Sequence, residues 1–450
     1  MSEAPPQATG LVTRILRETS LFAALQVAST VVVWLTTLVL TRLLDQRDFG
    51  VYGIGSFFLG LGALLGDGGL GATLLRKKDG VTEDEYRVTV TFLLGLGGCM
   101  GAALVAGMPA IARRYHLTAE ESSVLVLMAP LFLAGPLRAA PYIRMERALR
   151  FGDIGRIELL ATLMRQLVAV LLAWTKGGAW ALAGAQLAGA LTQLALAYVA
   201  SPGAPRLLWN LPILRSLLGY GLRVQALAMA AFFKDNISAI LLGALFGPAA
   251  VGVFDFGVKY AQLPVTAVNA LTRVQLPAYA RFSADDPELH RAVSTVTRTA
   301  LLAGVATLVT LAAGSSAIIP VVYKPKWLTS VPVIWGLVAN MAGGLVAGPL
   351  FALLQAQGRA GLALSAFIVW TGATWVLVLA VKSAGLGAIA GAYSVATVVM
   401  TAWLVAWAGK HLGRPLWRAY TGPVLAGVVS LAVVLCAKAG AGVTNGWALA

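Results

Sequence analysis

The chain has 450 residues, 58% hydrophobic and 12% charged, with 34 Lys and Arg against 19 Asp and Glu for a formal net charge of +15. Soluble domains carry about 25% charged residues, so this composition cannot solvate a soluble fold and excludes that class. In a chain this apolar, the distribution of positive charge along the sequence matters more than its sum.

Residues 1–20 are polar, and the first apolar run, from Leu21, has bilayer length without a small-residue cleavage site, so no cleavable signal peptide is expected. Apolar runs of 18 or more residues then recur, each long enough to cross a bilayer as a helix. Thirteen spans are predicted, over 21–43, 49–72, 89–112, 122–143, 155–175, 178–200, 216–246, 249–280, 296–323, 328–357, 360–381, 386–408 and 419–437. The seventh to tenth exceed what a bilayer needs and are expected to tilt, bend or extend into the cytoplasm. The loops are short and no gap holds a soluble domain. The closing "NGWALA" reads like the opening of a fourteenth span. The fold class is therefore an all-α polytopic membrane protein.

Basic residues set the orientation. With the N-terminus in the cytoplasm, the inside segments and adjoining span ends hold 19 Lys and Arg and the outside ones 9, the remaining 6 lying deeper within spans. The richest inside segments are Arg76, Lys77, Lys78 with Arg87, and Arg144, Arg147, Arg150 with Arg156. The excess supports an N-in topology by the positive-inside rule.

A short phrase recurs. "FGVYGIG" at 49–55 and "VGVFDFG" at 251–257 align at Gly50/Gly252, Val51/Val253 and Gly55/Gly257, with Tyr52 opposite Phe254, at an offset of 202 residues. Six spans separate the first from the seventh, so both copies have the same orientation and each opens the second helix of a bundle. That is a parallel repeat about an axis along the membrane normal. It divides the chain into a cytoplasmic segment (1–20), a first six-helix lobe (21–200), a cytoplasmic linker (201–215), a second six-helix lobe (216–409) and an extra helix region (410–450). Two such bundles around a central cavity suit alternating access by rocking.

Beyond the outermost three residues of each predicted span, ten charges fall inside: Arg138, Arg165, Arg223, Lys234, Lys259 and Arg273, with Asp67, Glu158, Asp235 and Asp255. A charge at the bilayer centre costs roughly 2.5–3.5 kcal/mol on insertion scales, so these residues should face the bundle interior or water. Arg138, Glu158, Arg223 and Arg273 lie in the cytoplasmic part of their spans, and Arg165 and Lys234–Asp235 near the middle. The surplus of two positive charges suits an anionic headgroup entering from the cytoplasm, and arginine's planar fork suits phosphate. Structural readings stand beside this one. Asp255 and Lys259, one turn apart, also suit an intrahelical pair. Arg138 and Arg273 also suit snorkelling to the interface. Asp67 also suits an anchor for the basic loop that follows it. Glu158 and Arg165, seven apart, can pair only through an intermediary.

Other patterns carry less. The spacings Gly97–Gly101 and Gly387–Gly391 suit close helix packing. Cys99 and Cys436 both fall in predicted spans. His116, His290 and His411 fall in predicted loops without metal-site spacing. No metal, cofactor, nucleic-acid partner or catalytic arrangement is expected.

"TRLLDQRDFGVYGIG" followed by "GDGGLGATLLRKKD", then "RMERALRFGDIGRIELL", "KDNISAILLGALFGPAAVGVF" and "VNALTRVQLPAYARF", resemble in order and spacing the Wzx-type polysaccharide-biosynthesis flippases of the multidrug/oligosaccharidyl-lipid/polysaccharide exporter superfamily. The resemblance covers nearly the whole chain. It implies two six-helix lobes around a central cavity, often with two further helices, in the bacterial inner membrane. It also implies translocation of an undecaprenyl-pyrophosphate-linked oligosaccharide from the inner to the outer leaflet, with membrane lipids and the polysaccharide polymerase machinery as neighbours. The chain departs from the family pattern at Phe254, where a hydroxylated aromatic is usual.

On this reading Arg138, Arg165, Arg223, Lys234, Lys259 and Arg273 form the cationic substrate site, while Asp67, Glu158, Asp235 and Asp255 serve ion coupling or charge pairing. A cation-coupled drug exporter of the same superfamily is the alternative, and it would favour acids in the cavity. A membrane polysaccharide polymerase or ligase would need a sizeable external loop, which this sequence lacks.

Overall fold

The computed structural model describes residues 6–67, 70, 74, 81–175, 177–203, 206–272, 275, 279, 282–283, 286–412, 420–422, 427 and 429, with side chains outside the description at 6–16, 66–67, 218–228, 230, 267–272 and 360. The described residues contain helices, turns and no strand. In order these are α1 (Pro6–Leu43), α2 (Gln46–Asp67), α3 (Glu83–Tyr115), α4 (Ala119–Leu127), α5 (Leu131–Arg147), α6 (Phe151–Trp174), α7 (Gly178–Ala200) and α8 (Leu211–Asp235). A π-helical stretch, Ser238–Leu242, leads into α9 (Gly243–Phe246) and α10 (Pro248–Thr272). Then come α11 (Pro287–Val322), α12 (Val331–Ala356), α13 (Ala360–Ala380) and α14 (Leu386–His411).

A bilayer offers no water to spare backbone groups, which is why only helices with internally satisfied bonds suit this composition. The helix starts show the consequence. Thr82 and Glu85 form a reciprocal capping box on α3, and Thr118 and Glu121 form another on α4. Hydroxyls inside spans bond to their own helix, as Thr36 does to the Val32 carbonyl and Thr37 to the Val33 carbonyl, each at 2.7 Å.

Ten helices among the described residues are long and apolar enough to cross a membrane, counting α4 and α5 together. They correspond to the first six predicted spans and the ninth to twelfth. The seventh and eighth fall partly, and 419–437 almost wholly, outside the described residues. The protein is an all-α polytopic membrane protein. Two details differ from the sequence reading. The fourth span is not one helix. Pro130 lacks an N–H, and the chain crosses Met128–Leu133 on i→i−3 bonds, Leu131 N to Met128 O at 3.0 Å and Leu133 N to Pro130 O at 3.0 Å. His290 and His411 are helical, in α11 and at the end of α14, because both helices outrun the apolar stretch. The long seventh span is interrupted, passing from α8 through a turn at Asn236 into the π-helical stretch.

The chain forms two compact units. The first comprises residues 1–232 and 239–252, the second 233–238 and 253–450. Within the first, α6 packs between α1 and α7, and α3 packs on α5. Gly97 of α3 lies against the Phe132 carbonyl, and a Cβ on Gly101 would stand 3.2 Å from the Ala129 carbonyl. Within the second, α12 packs between α11 and α14. A Cβ on Gly336 of α12 would meet Ala390 Cβ at 2.6 Å, Gly387 O at 2.7 Å and Gly391 N at 2.9 Å. Both predicted glycine spacings therefore sit at close helix crossings.

The first unit carries outward apolar stripes at helical spacing. Examples are Val27, Val31 and Leu35 on α1, and Leu160, Leu163, Leu167 and Leu171 on α6, all exposed. Such stripes on long apolar helices suit acyl chains rather than water.

Gly336→Leu should destabilise the second unit by about 1–3 kcal/mol through overpacking at this crossing. Gly344→Ala, where an added Cβ meets nothing within 4 Å, should be neutral or stabilising by up to about 1 kcal/mol through helix propensity. Thermal unfolding of both variants in detergent checks the contrast.

Candidate functional site

The interior of the first unit is polar along one seam. On α6, Glu158, Thr162 and Arg165 recur at i, i+4 and i+7, which sets them on one helix face. Opposite them, α7 presents Gln186 and Gln193, α1 presents Gln26 and Ser29, and α5 presents Arg138, Tyr142 and Glu146. These side chains line two cavities, of about 670 Å³ and about 220 Å³, that share Glu158, Gln186, Ala190 and Gln193. Arg138 and Glu146 border the larger cavity, and Arg165, Gln26 and Ser29 the smaller.

The charges in the seam are held by neutral partners. The Gln26 amide donates to the Glu158 carboxylate. Gln186 Oε1 accepts from the Tyr52 hydroxyl at 3.3 Å and from Arg165 Nη1 at 3.5 Å. The Gln193 amide donates to the Tyr142 hydroxyl at 2.8 Å, and the Arg138 guanidinium stands 5.4 Å from the centre of the Tyr142 ring. Gly189 makes room for this arrangement, since a Cβ there would lie 2.9 Å from Arg165 Cβ. The buried Ser29 hydroxyl lines the smaller cavity with no protein partner. Arg165 is thus tied by one long hydrogen bond to an amide, which leaves most of its donors free for a guest. Glu158 and Arg165 border the same small cavity, each joined to a different glutamine.

The second unit holds its own charged cluster. Lys234, at the end of α8, pairs with Asp235, and its Nζ lies 4.6 Å from the Trp370 ring centre. The Lys234 side chain is 14% exposed and that of Asp235 64%. A cation over an indole face is stabilised by the ring quadrupole. Trp375 Nε1 donates to the Phe233 carbonyl at 3.3 Å, beside the same helix end. Asp255 accepts from the Ser238 hydroxyl at 3.0 Å, in the first turn of the π-helical stretch. Lys259, one turn beyond Asp255, is exposed.

The structure thus brings Arg138, Glu158 and Arg165 to one pair of cavities in the first unit. Lys234, Asp235, Asp255 and Lys259 belong to the second. Arg273 and the side chains of Asp67 and Arg223 lie outside the described residues. Gln26, Ser29, Tyr142, Gln186 and Gln193 escaped a reading built on charge, and Glu146 fell just outside a predicted span. The available signal was amides inside apolar runs, Gln26 within 21–43 and Gln186 and Gln193 within 178–200.

A bundle of long apolar helices with a charged, amide-lined interior defines a membrane transporter class rather than a scaffold. Residues 39–332 match the model of a family described as polysaccharide biosynthesis protein, and the chain belongs to that family. The teichuronic acid biosynthesis protein TuaB of Bacillus subtilis (strain 168) is 24% identical over 354 residues, covering 76% of this chain and 72% of that protein. The lipopolysaccharide biosynthesis protein WzxC of Escherichia coli (strain K12) is 23% identical over 328 residues, 71% of this chain and 65% of that one. Among solved structures, the lipid II flippase MurJ in an inward closed conformation superposes with a TM-score of 0.69 at 11% identity, covering 92% of this chain and 97% of that chain. At that identity the likeness speaks for the fold.

Gln186→Leu should cost about 1–3 kcal/mol, because it leaves a half-buried phenol and a guanidinium short of their shared acceptor. Adding Tyr52→Phe should recover part of the loss. Thermal midpoints of the single and double variants in detergent check this.

Proposed function

We propose that this protein is a flippase that moves an undecaprenyl-pyrophosphate-linked oligosaccharide repeat unit from the cytoplasmic to the outer leaflet of the bacterial inner membrane, for cell-surface polysaccharide synthesis. The observation that carries the reading is a cavity system bordered by Arg138 and Arg165 inside a member of a polysaccharide biosynthesis family. Arginine forks suit pyrophosphate oxygens, while amides and a tyrosine suit sugar hydroxyls. The relatives' names point the same way, to polymers assembled for the cell surface. Family and fold are those of transporters and not of catalytic enzymes.

On this reading the N-terminus is cytoplasmic, in keeping with the bias of Lys and Arg. Residues 21–200 and 216–409 act as two lobes joined by 201–215, and alternating access exposes the site first inward and then outward. Arg138, Arg165, Arg223, Lys234, Lys259 and Arg273 supply the positive surface for the headgroup. Asp67, Glu158, Asp235 and Asp255 serve coupling or charge balance. The polysaccharide polymerase machinery receives the flipped product. A cation-coupled drug exporter is the second reading. It is favoured by Glu146 and Glu158 at the larger cavity and disfavoured by the surplus of bases over acids in the spans.

The test is reconstitution in liposomes with an undecaprenyl-pyrophosphate-linked oligosaccharide, read by its exposure to a glycosidase outside, with and without a proton or sodium gradient. Protein-dependent exposure is expected. Loss of a charge-assisted hydrogen bond costs about 1.5–3 kcal/mol, so Arg165→Ala and Lys234→Ala should each slow exposure roughly ten- to hundredfold. Folded variants that flip at the parent rate would remove these two residues from the site. No exposure alongside efflux of a cationic dye would favour the exporter.

A further inference from the structure

Two neighbouring helices of the second unit, α13 and α14, turn uncharged and mostly apolar faces outward. On α13, Ser365, Ile368, Gly372, Val376 and Leu379 recur at helical spacing and are all exposed. On α14, Val395, Val399, Ala402 and Ala406 do the same. The two helices pack on each other, and the stripes end together. Arg359, the residue before α13, holds its guanidinium 5.6 Å from the ring centre of Trp407, near the end of α14. Leu379 lies twenty residues beyond Arg359, about 30 Å along a helix and about the depth of a bilayer's hydrocarbon layer.

The shared end is basic. Lys410 follows Ala406 by four residues, so it terminates the exposed stripe of α14. The His411 ring stacks on Trp407, with centres 5.0 Å apart. Arg359 and Lys410 are both exposed, and neither forms an ion pair among the described residues. The start of α11 lies at the same end, where Gln357 Nε2 donates to the Phe282 carbonyl at 3.4 Å. Its described carboxylates are already engaged: Asp286 accepts from Glu288 N at 2.8 Å, and Glu288 pairs with Arg291. Trp407 is half-buried against the core of the second unit. It therefore positions the Arg359 guanidinium by its ring face and leaves the N–H donors free. A base at a helix start gains nothing from the helix macrodipole, so α13 itself gives no reason for Arg359.

We propose that this end of α13 and α14 binds an anionic phospholipid, with the headgroup phosphate between Arg359 and Lys410 and the acyl chains along the two stripes. Charge complementarity selects the occupant. A zwitterionic headgroup brings its own cation to a place that already holds two, whereas an anionic one is left with a net charge that the two bases meet. The arginine fork suits phosphate oxygens. Under the N-in assignment the site faces the cytoplasmic leaflet. The proposal goes beyond the transport reading and does not depend on it.

The test uses the full chain in phosphatidylcholine nanodiscs with a trace of photoreactive lipid, carrying a diazirine on the acyl chain of either phosphatidylglycerol or phosphatidylcholine. Mass spectrometry reads the labelled peptides of α13 and α14. A base facing an anionic headgroup is worth roughly fivefold in affinity. Phosphatidylglycerol should therefore label these helices roughly twentyfold more than phosphatidylcholine does, a comparison that needs no variant. Arg359→Gln and Lys410→Gln should each lower the preference about fivefold and together abolish it. Lys382→Gln, at the other end of α13, should leave it unchanged. Equal labelling by the two lipids in the parent protein, or a preference that survives both substitutions, overturns the site. Displacement of phosphatidylglycerol by substoichiometric undecaprenyl pyrophosphate, or by inorganic pyrophosphate, gives the two bases to the transported lipid or to a free phosphate and overturns the phospholipid assignment. Labelling that persists against both upholds it.

Discussion

A bilayer supplies no hydrogen-bonding solvent, and the backbone polar groups this chain carries into it must find partners within the protein. Much of the structure follows from that constraint. Backbone groups close on themselves in helices, threonine hydroxyls bond to carbonyls four residues back, and capping boxes close the starts of α3 and α4. The same constraint leaves van der Waals contact as the main source of helix–helix affinity, since acyl chains compete on equal terms with leucine. Glycines at the closest crossings are the visible result, with Gly97 on the Phe132 carbonyl and Gly336 on Gly387–Gly391.

Against that background the seam inside the first unit is expensive. Arg138, Arg165, Glu146 and Glu158 border cavities built among apolar helices. Their partners are mostly neutral amides and a phenol, through Gln26, Gln186 and Tyr142. An interior built for stability alone would join opposite charges directly or replace them with packed hydrophobes. On the transport proposal, holding Glu158 and Arg165 through glutamines keeps these two charges solvated by the protein yet able to exchange the amide for a guest. This is the arrangement a transport site needs, because a guest must be bound and then released.

The second unit solves the same problem differently. Lys234 lies over the Trp370 ring and pairs with the more exposed Asp235, while Asp255 is met by the Ser238 hydroxyl where the helix turns π-helical. A π-helical turn displaces the backbone register and often marks a functional site. Here it aims Ser238 at Asp255 and follows directly on the helix end that carries the lysine. The second unit thus places charge where the chain departs from a regular α-helix.

How much of this was legible in the sequence depends on the range of the interaction involved. Hydropathy and the positions of Lys and Arg determined the class, most spans and the expected orientation, because bilayer thickness and leaflet charge act on each segment separately. The positions of Arg138, Glu158 and Arg165 inside spans marked them as candidates by their insertion cost alone. Glutamines 26, 186 and 193 carry no charge, so a search for charges passed over them, and packing revealed that they close the seam from two other helices. The break at Met128–Pro130 was hidden inside an unbroken apolar run, where hydropathy does not distinguish one helix from two. The phrase shared by residues 49–55 and 251–257 was visible as a repeat. That Gly50 lies against the Pro248 carbonyl and Gly252 against the Gln46 carbonyl was decided by tertiary structure, since contact between segments 202 residues apart depends on how whole helices pack and not on any local preference of the chain.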